Sequence, residues 1–123
     1  MPILRFDDAP EFDLNGALVR GLASPGRGAL ETMCWRIEMT PGQRLPEHTH
    51  DQEEVFHVLS GRLTASLDGE ETVVATGDTV MIPPRVSHFA YAGEEPAKFL
   101  TMMPLGTLMI RPDGEVVPLP WGQ

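Results

Sequence analysis

Apolar and polar positions in this chain alternate in short runs, the period-two pattern of strands with one buried face. Residues 30–39 show it clearly, with Met33, Trp35, Ile37 and Met39 on one face before Thr40-Pro-Gly42 ends the run. Similar runs cover residues 17–23, 54–59, 63–67, 72–75, 79–82, 88–91 and 97–103. Turn formers separate them: Ser24-Pro-Gly-Arg-Gly28, Ser60-Gly-Arg62, Asp68-Gly69, Thr76-Gly-Asp78, Pro83-Pro84 and Gly93-Glu-Glu-Pro96. No segment has sustained helical periodicity, although a short helical turn near Thr107–Ile110 is expected. Short strands so closely spaced predict an all-β sandwich or barrel.

Length and charge narrow the reading. The 123 residues suit one domain (1–123) with a single core. The 12 glycines and 12 prolines are spread along the chain, as tight turns require and a disordered tract does not. Eighteen acidic residues against nine basic ones give a net charge of -9, which argues against nucleic acid and anionic membrane as partners. No apolar run is long enough to span a bilayer, and no signal-peptide core follows the acidic start. Cys34 is the only cysteine, so an intrachain disulfide is impossible and a cytoplasmic location is expected. Its adjacent residues Met33 and Trp35 are apolar, and it reads as a buried, inert thiol.

Candidate chemistry concentrates in one stretch. His48 and His50 are two residues apart, so on a strand both imidazoles point to one side, whereas a helix would separate them by roughly 200°. Asp51-Gln-Glu53 can reverse the chain, and Glu54 then opens the next strand with a carboxylate beside the pair. Imidazoles with a hard oxygen donor suit one borderline divalent ion per chain, from Fe, Mn, Co, Ni, Cu or Zn. The absence of thiolates nearby argues against a closed structural zinc site. Taken alone, a His-x-His among Glu47, Asp51, Glu53 and Glu54 also reads as a solvated loop.

The wider spacing resolves that choice. Gly42-x5-His48-x-His50-x3-Glu54-x6-Gly61 and Gly77-x5-Pro83-x-Arg85-x2-His88 resemble the two motifs of small single-domain cupins over about residues 30–103. Arg85 stands where that family often has glycine, and Ala92 where it often has asparagine. The resemblance implies a jelly-roll barrel, or double-stranded β-helix, with His48, His50, Glu54 and His88 as metal ligands. It selects Glu54 over the adjacent Glu53.

Strand parity puts Phe56 and Val58 on the side of Glu54 as pocket walls and His57 on the opposite face. Trp35 and Met102 are further wall candidates, and Arg85 is either a carboxylate-binding group or a solvated rim residue. By resemblance, the favoured function is a metal-dependent enzyme acting on a small organic molecule, with Fe(II) dioxygenase chemistry leading. Non-redox cyclases or isomerases follow, then a non-catalytic ligand sensor or a metal-stabilised structural protein. A symmetric homodimer is expected, with residues 1–30 available to add a strand to the partner.

Overall fold

Every strand expected from the alternation forms in the structure, a computed structural model that describes residues 3–123. In chain order the strands are β1 (Glu11–Leu14), β2 (Ala17–Ala23), β3 (Thr32–Met39), β4 (Thr49–His50), β5 (Glu54–Ser60), β6 (Arg62–Leu67), β7 (Glu70–Ala75), β8 (Thr79–Ile82), β9 (His88–Ala92), β10 (Ala97–Pro104), β11 (Leu108–Ile110) and β12 (Val116–Pro118). Short 3-10 turns lie at Phe6–Asp8, Pro25–Arg27 and Pro120–Gly122.

Six strands make one antiparallel sheet in the order β1-β2-β3-β10-β5-β8. The others form two three-stranded sheets, β12-β11-β4 and β7-β6-β9. Bridges between Arg44 and Tyr91 and between His48 and His88 stitch these two into a second layer. The core between the layers draws Met33, Ile37, Phe56 and Phe99 from the large sheet and Leu63, Ala65, Ala90 and Met109 from the other. This is the jelly-roll arrangement, closed so that inward residues of both layers meet.

Two features depart from the sequence reading. Strand pairing begins at β1 rather than at residue 17, because Asn15 (φ +50°) and Gly16 (φ +91°) form a tight hairpin turn. Asn-Gly is the strongest short hairpin signal, and both residues must take a left-handed backbone. Thr107–Ile110 is not a helical turn: Leu108–Ile110 is strand β11, held between β12 and β4, with Met109 opposite His50. Pairing with two neighbours outweighs any local helical preference in so short a segment.

Gly61, between β5 and β6, explains one motif position. It adopts φ +75°, and a Cβ there would overlap the carbonyl oxygen of Pro96. Only glycine permits this close approach, which lets β10 lie against β5. Pairing of β10 with β5, and of β5 with β8, then fixes where Glu54 enters the barrel.

Candidate metal centre and its cavity

Four side chains from three places in the chain converge inside the barrel. His48 and His50 leave the same side of the extended segment running into β4, Glu54 begins β5, and His88 begins β9. The segments carrying His48 and His88 are directly paired: His48 N–H donates to the His88 carbonyl at 3.1 Å, and His88 N–H to the His48 carbonyl at 2.9 Å. One donor atom from each of the four residues lies within 4.8 Å of all the others. His50, Glu54 and His88 are buried, while His48 is half-buried.

The hydrogen bonds behind the rings determine what the cluster can hold. Nδ1 of His48, His50 and His88 lies 2.7, 3.0 and 2.9 Å from the carbonyl oxygens of Pro46, Leu108 and Val86. A carbonyl only accepts, so each Nδ1 carries the proton and donates. In the neutral rings all three Nε2 atoms are then bare lone pairs. Nε2 of His48 and of His50 face each other at 3.0 Å. Glu54 Oε1 lies 3.0 Å from His50 Nε2 and 3.1 Å from His88 Nε2. Acceptors this close repel unless a proton or a cation sits among them. A divalent ion satisfies all four, and imidazoles fixed by backbone carbonyls are the usual arrangement behind metal-ligating histidines. The residues present therefore fit one divalent transition-metal ion. Asp51 supports the set from behind, accepting the Leu108 N–H at 2.9 Å and so holding the residue whose carbonyl orients His50.

Ionisation follows the same geometry. Burial lowers the His48 pKa to about 4, aided by the charges of His88 and His50, so this ring stays neutral near pH 7. Burial also opposes charge on His88, but its contacts with Glu54 outweigh this and raise its pKa above the usual value. Burial pushes Glu54 up, yet hydrogen bonds and charge from His50 and His88 prevail and hold the carboxyl far below the ordinary range.

The cluster lines a cavity whose atom-free space, including part that is open to solvent, is about 580 Å³. Trp35, Leu45, Phe56, Phe99, Met109 and Trp121 supply much of its wall. A neighbouring pocket shares Leu14, Pro46, His48 and Met109 with it.

Of the pocket residues expected from sequence, Phe56 and Trp35 line this cavity. Three do not. Val58 is buried to 1% exposure but packs in the core beyond the cavity. Met102 points outward, because the alternation along β10 turns Phe99, Thr101 and Met103 inward instead. Arg85 is exposed at the turn before β9, away from the cavity. Glu53 is exposed while Glu54 is buried, and His57 lies on the outer face with its Nδ1 2.8 Å from Thr79 Oγ1. Cys34 is half-buried on the outer face of β3, and burial raises its pKa. The sequence reading missed Asp51, Phe99, Thr101 and Trp121. Parity along β10 could have found Phe99 and Thr101; no sequence pattern marks Trp121, which the C-terminal segment brings back over the barrel.

Comparison with known proteins agrees with this architecture. A family model described as Cupin domain matches residues 35–103. Protein SchB of Streptomyces halstedii is 34% identical over 114 residues, covering 90% of this chain and 81% of its own. Polyketide synthase CurC of Streptomyces cyaneus is 34% identical over 102 residues, covering 78% of this chain and 66% of its own. Among solved structures, the polyketide cyclase RemF from Streptomyces resistomycificus superposes with a TM-score of 0.77 at 23% identity, covering 87% of this chain and 81% of that one. Among the described residues, no helix is long and apolar enough to cross a membrane.

Proposed function

The chain belongs to the cupin family, and from that premise we propose that it is a metal-dependent enzyme that folds and cyclises a small, largely apolar polycarbonyl molecule. The observation that carries this reading is the pairing of an aromatic-walled cavity with a cluster of imidazoles whose Nδ1 atoms are tied to backbone carbonyls and whose Nε2 atoms converge. The relative called polyketide synthase supports the substrate class, and a solved protein of the same fold called a polyketide cyclase supports the reaction type.

His48, His50, Glu54 and His88 would hold the ion. When bound, it supplies a Lewis acid that polarises a carbonyl. The chain's own contribution is shape and dryness. Among the residues lining the cavity, only those four carry an acid or base. The remaining walls press a flexible chain into a compact conformer, bringing an acidic carbon near a carbonyl and excluding water. The low His48 pKa keeps the half-exposed ring ready to ligate rather than protonated.

The test supplies metal-loaded and metal-stripped protein with a synthetic aryl-terminated 1,3,5-triketone, following products by mass and oxygen by electrode. Cyclisation predicts ring-closed product with loss of one water per closure, no oxygen consumed and no turnover without metal. Oxygen uptake in step with product would replace cyclisation by the dioxygenase chemistry that the family resemblance put first. Tight binding without turnover would point to a sensing barrel.

A further inference from the structure

Two polar atoms in the cavity wall have no partner. Thr101 Oγ1 and Trp121 Nε1 are both buried without a hydrogen bond, on residues 1% and 6% exposed. Both residues line the cavity, where, apart from the four-residue cluster, their neighbours are apolar. Both flank Trp35. Thr101 pairs with Trp35 across β3 and β10 and with Phe56 across β10 and β5. The Trp121 ring packs on Trp35 with centroids 5.9 Å apart. Glu54 is two residues before Phe56 on the same face, so Thr101 and Glu54 are diagonal neighbours, roughly 7–8 Å apart.

An unsatisfied buried donor is costly, and native structures rarely keep two in one cavity wall unless something else completes them. An indole N–H only donates, and a hydroxyl both donates and accepts, so the missing partner carries an oxygen acceptor. We infer that Thr101 and Trp121 form a second anchoring point, which recognises an oxygen substituent on the substrate remote from the carbonyl held at the metal cluster. This rests on the polycarbonyl reading and sharpens it: the molecule carries oxygen at two ends of an otherwise apolar, ring-sized frame. A hydrocarbon frame with one carbonyl end would leave both wall groups bare. The anchor would also fix which way round the substrate enters, and so which carbon meets which carbonyl.

The test uses Thr101→Val, which keeps the shape of the wall and removes the hydroxyl, and Trp121→Phe, which removes the indole N–H together with part of the ring packed on Trp35. Zinc-loaded protein is titrated with 2-acetyl-1-naphthol and with its 5-, 6- and 7-hydroxy derivatives. The inference expects at least one hydroxylated probe to bind wild type more tightly than the parent. Thr101→Val should lose about 2- to 12-fold of affinity for that probe while binding the parent unchanged, as expected for one net hydrogen bond, and Trp121→Phe should lose about 2- to 12-fold more for that probe than for the parent. Metal content should be normal, and ligand-free Thr101→Val should melt at or above wild type, because its hydroxyl bonds nothing in the free protein, whereas Trp121→Phe should melt lower through lost packing on Trp35 and Phe12. Equal affinity of variants and wild type for every probe overturns the anchor, as does failure of wild type to bind any hydroxylated probe. A clear drop in melting temperature of ligand-free Thr101→Val also overturns it, because it would mean a resident water completes the hydroxyl. Failure of the underlying reading looks different: wild type would bind the parent naphthol equally well with and without zinc.

Discussion

Replacing His50 by alanine separates a metal ligand from a structural histidine. His50 is 4% exposed, and its Nδ1–H bonds the Leu108 carbonyl on β11, 3.0 Å away. In metal-free protein the substitution removes this bond and leaves a buried carbonyl bare, costing about 1–3 kcal/mol. With zinc at roughly 100 times its dissociation constant, binding to the folded state adds about 2.7 kcal/mol to wild type. For a chain of 123 residues, a stability change of 1 kcal/mol moves the melting temperature by roughly 3–5 °C. Zinc should therefore raise wild-type melting by about 8–14 °C. In His50→Ala the metal-free protein should melt lower by roughly 3–15 °C, and the rise on adding zinc should largely vanish. His57→Ala, on the outer face, should keep it. The assay is scanning calorimetry of chelator-treated protein with and without zinc, alongside elemental analysis. A zinc-induced rise in His50→Ala equal to that of wild type would refute the ligand assignment, whatever happened to the baseline.

Asp51→Ala should weaken metal binding by about 10- to 100-fold without removing a ligand, because Leu108 loses the carboxylate that positions it; competition against a chromogenic chelator measures this, and unchanged affinity would exclude the relay. Phe56→Ala, at 4% exposure and packed on Phe99 with ring centroids 5.2 Å apart, should cost about 3–5 kcal/mol in urea unfolding yet keep its metal; loss of metal in the folded variant would show that the wall holds the ligands. On acidification, metal should leave as His88, whose pKa is raised, takes a proton. The metal-free protein should lose stability between roughly pH 6.5 and pH 4, because His48 protonates near its usual value when unfolded but only at about 4 when folded. The depressed Glu54 carboxyl adds a further loss below its ordinary range, whereas the His88 contribution is complete below its unfolded pKa and declines only as pH rises through the raised value; a flat profile from pH 7 to pH 4 would refute this assignment. Strand β1 leaves one edge of the large sheet open, and a symmetric homodimer built by residues 1–30 is expected; a monomer mass in light scattering at micromolar concentration would rule it out.

The strands and the cluster were legible in the sequence for a common reason. A strand has a period of two, so His48 and His50, or Glu54 and Phe56, share a face wherever the strand ends up. The turns were legible where the backbone demands particular residues, as at Asp68-Gly69, where φ is +51° and +85°. What stayed hidden depends on distant pairing. Strand β11 is three residues long and exists because β4 and β12 flank it. Trp121 reaches the cavity because Leu119, 2% exposed, and the turn after it close over the barrel. Neither segment carries a local signal strong enough to announce its partner.

Parity also fails when it is not carried through. Met102 was expected in the wall, yet the register that pairs Thr101 with Phe56 turns Met102 outward, opposite Val55 and Cys34. One residue along a strand exchanges an apolar outer position for an inner hydroxyl, and with it the reading of what the cavity can recognise. Arg85 shows the complementary error, in which a side chain was weighed and the backbone mattered. Its guanidinium is exposed, while its φ is +68°, a left-handed conformation that costs an L-residue roughly 1–2 kcal/mol. That conformation is part of the turn in which the Arg85 N–H donates to the His50 carbonyl at 2.8 Å, just before the chain delivers His88. A glycine, frequent at this place in the family, would reach the same geometry without strain. The position therefore serves the site through its main chain, holding the segments that carry two of the clustered histidines in register.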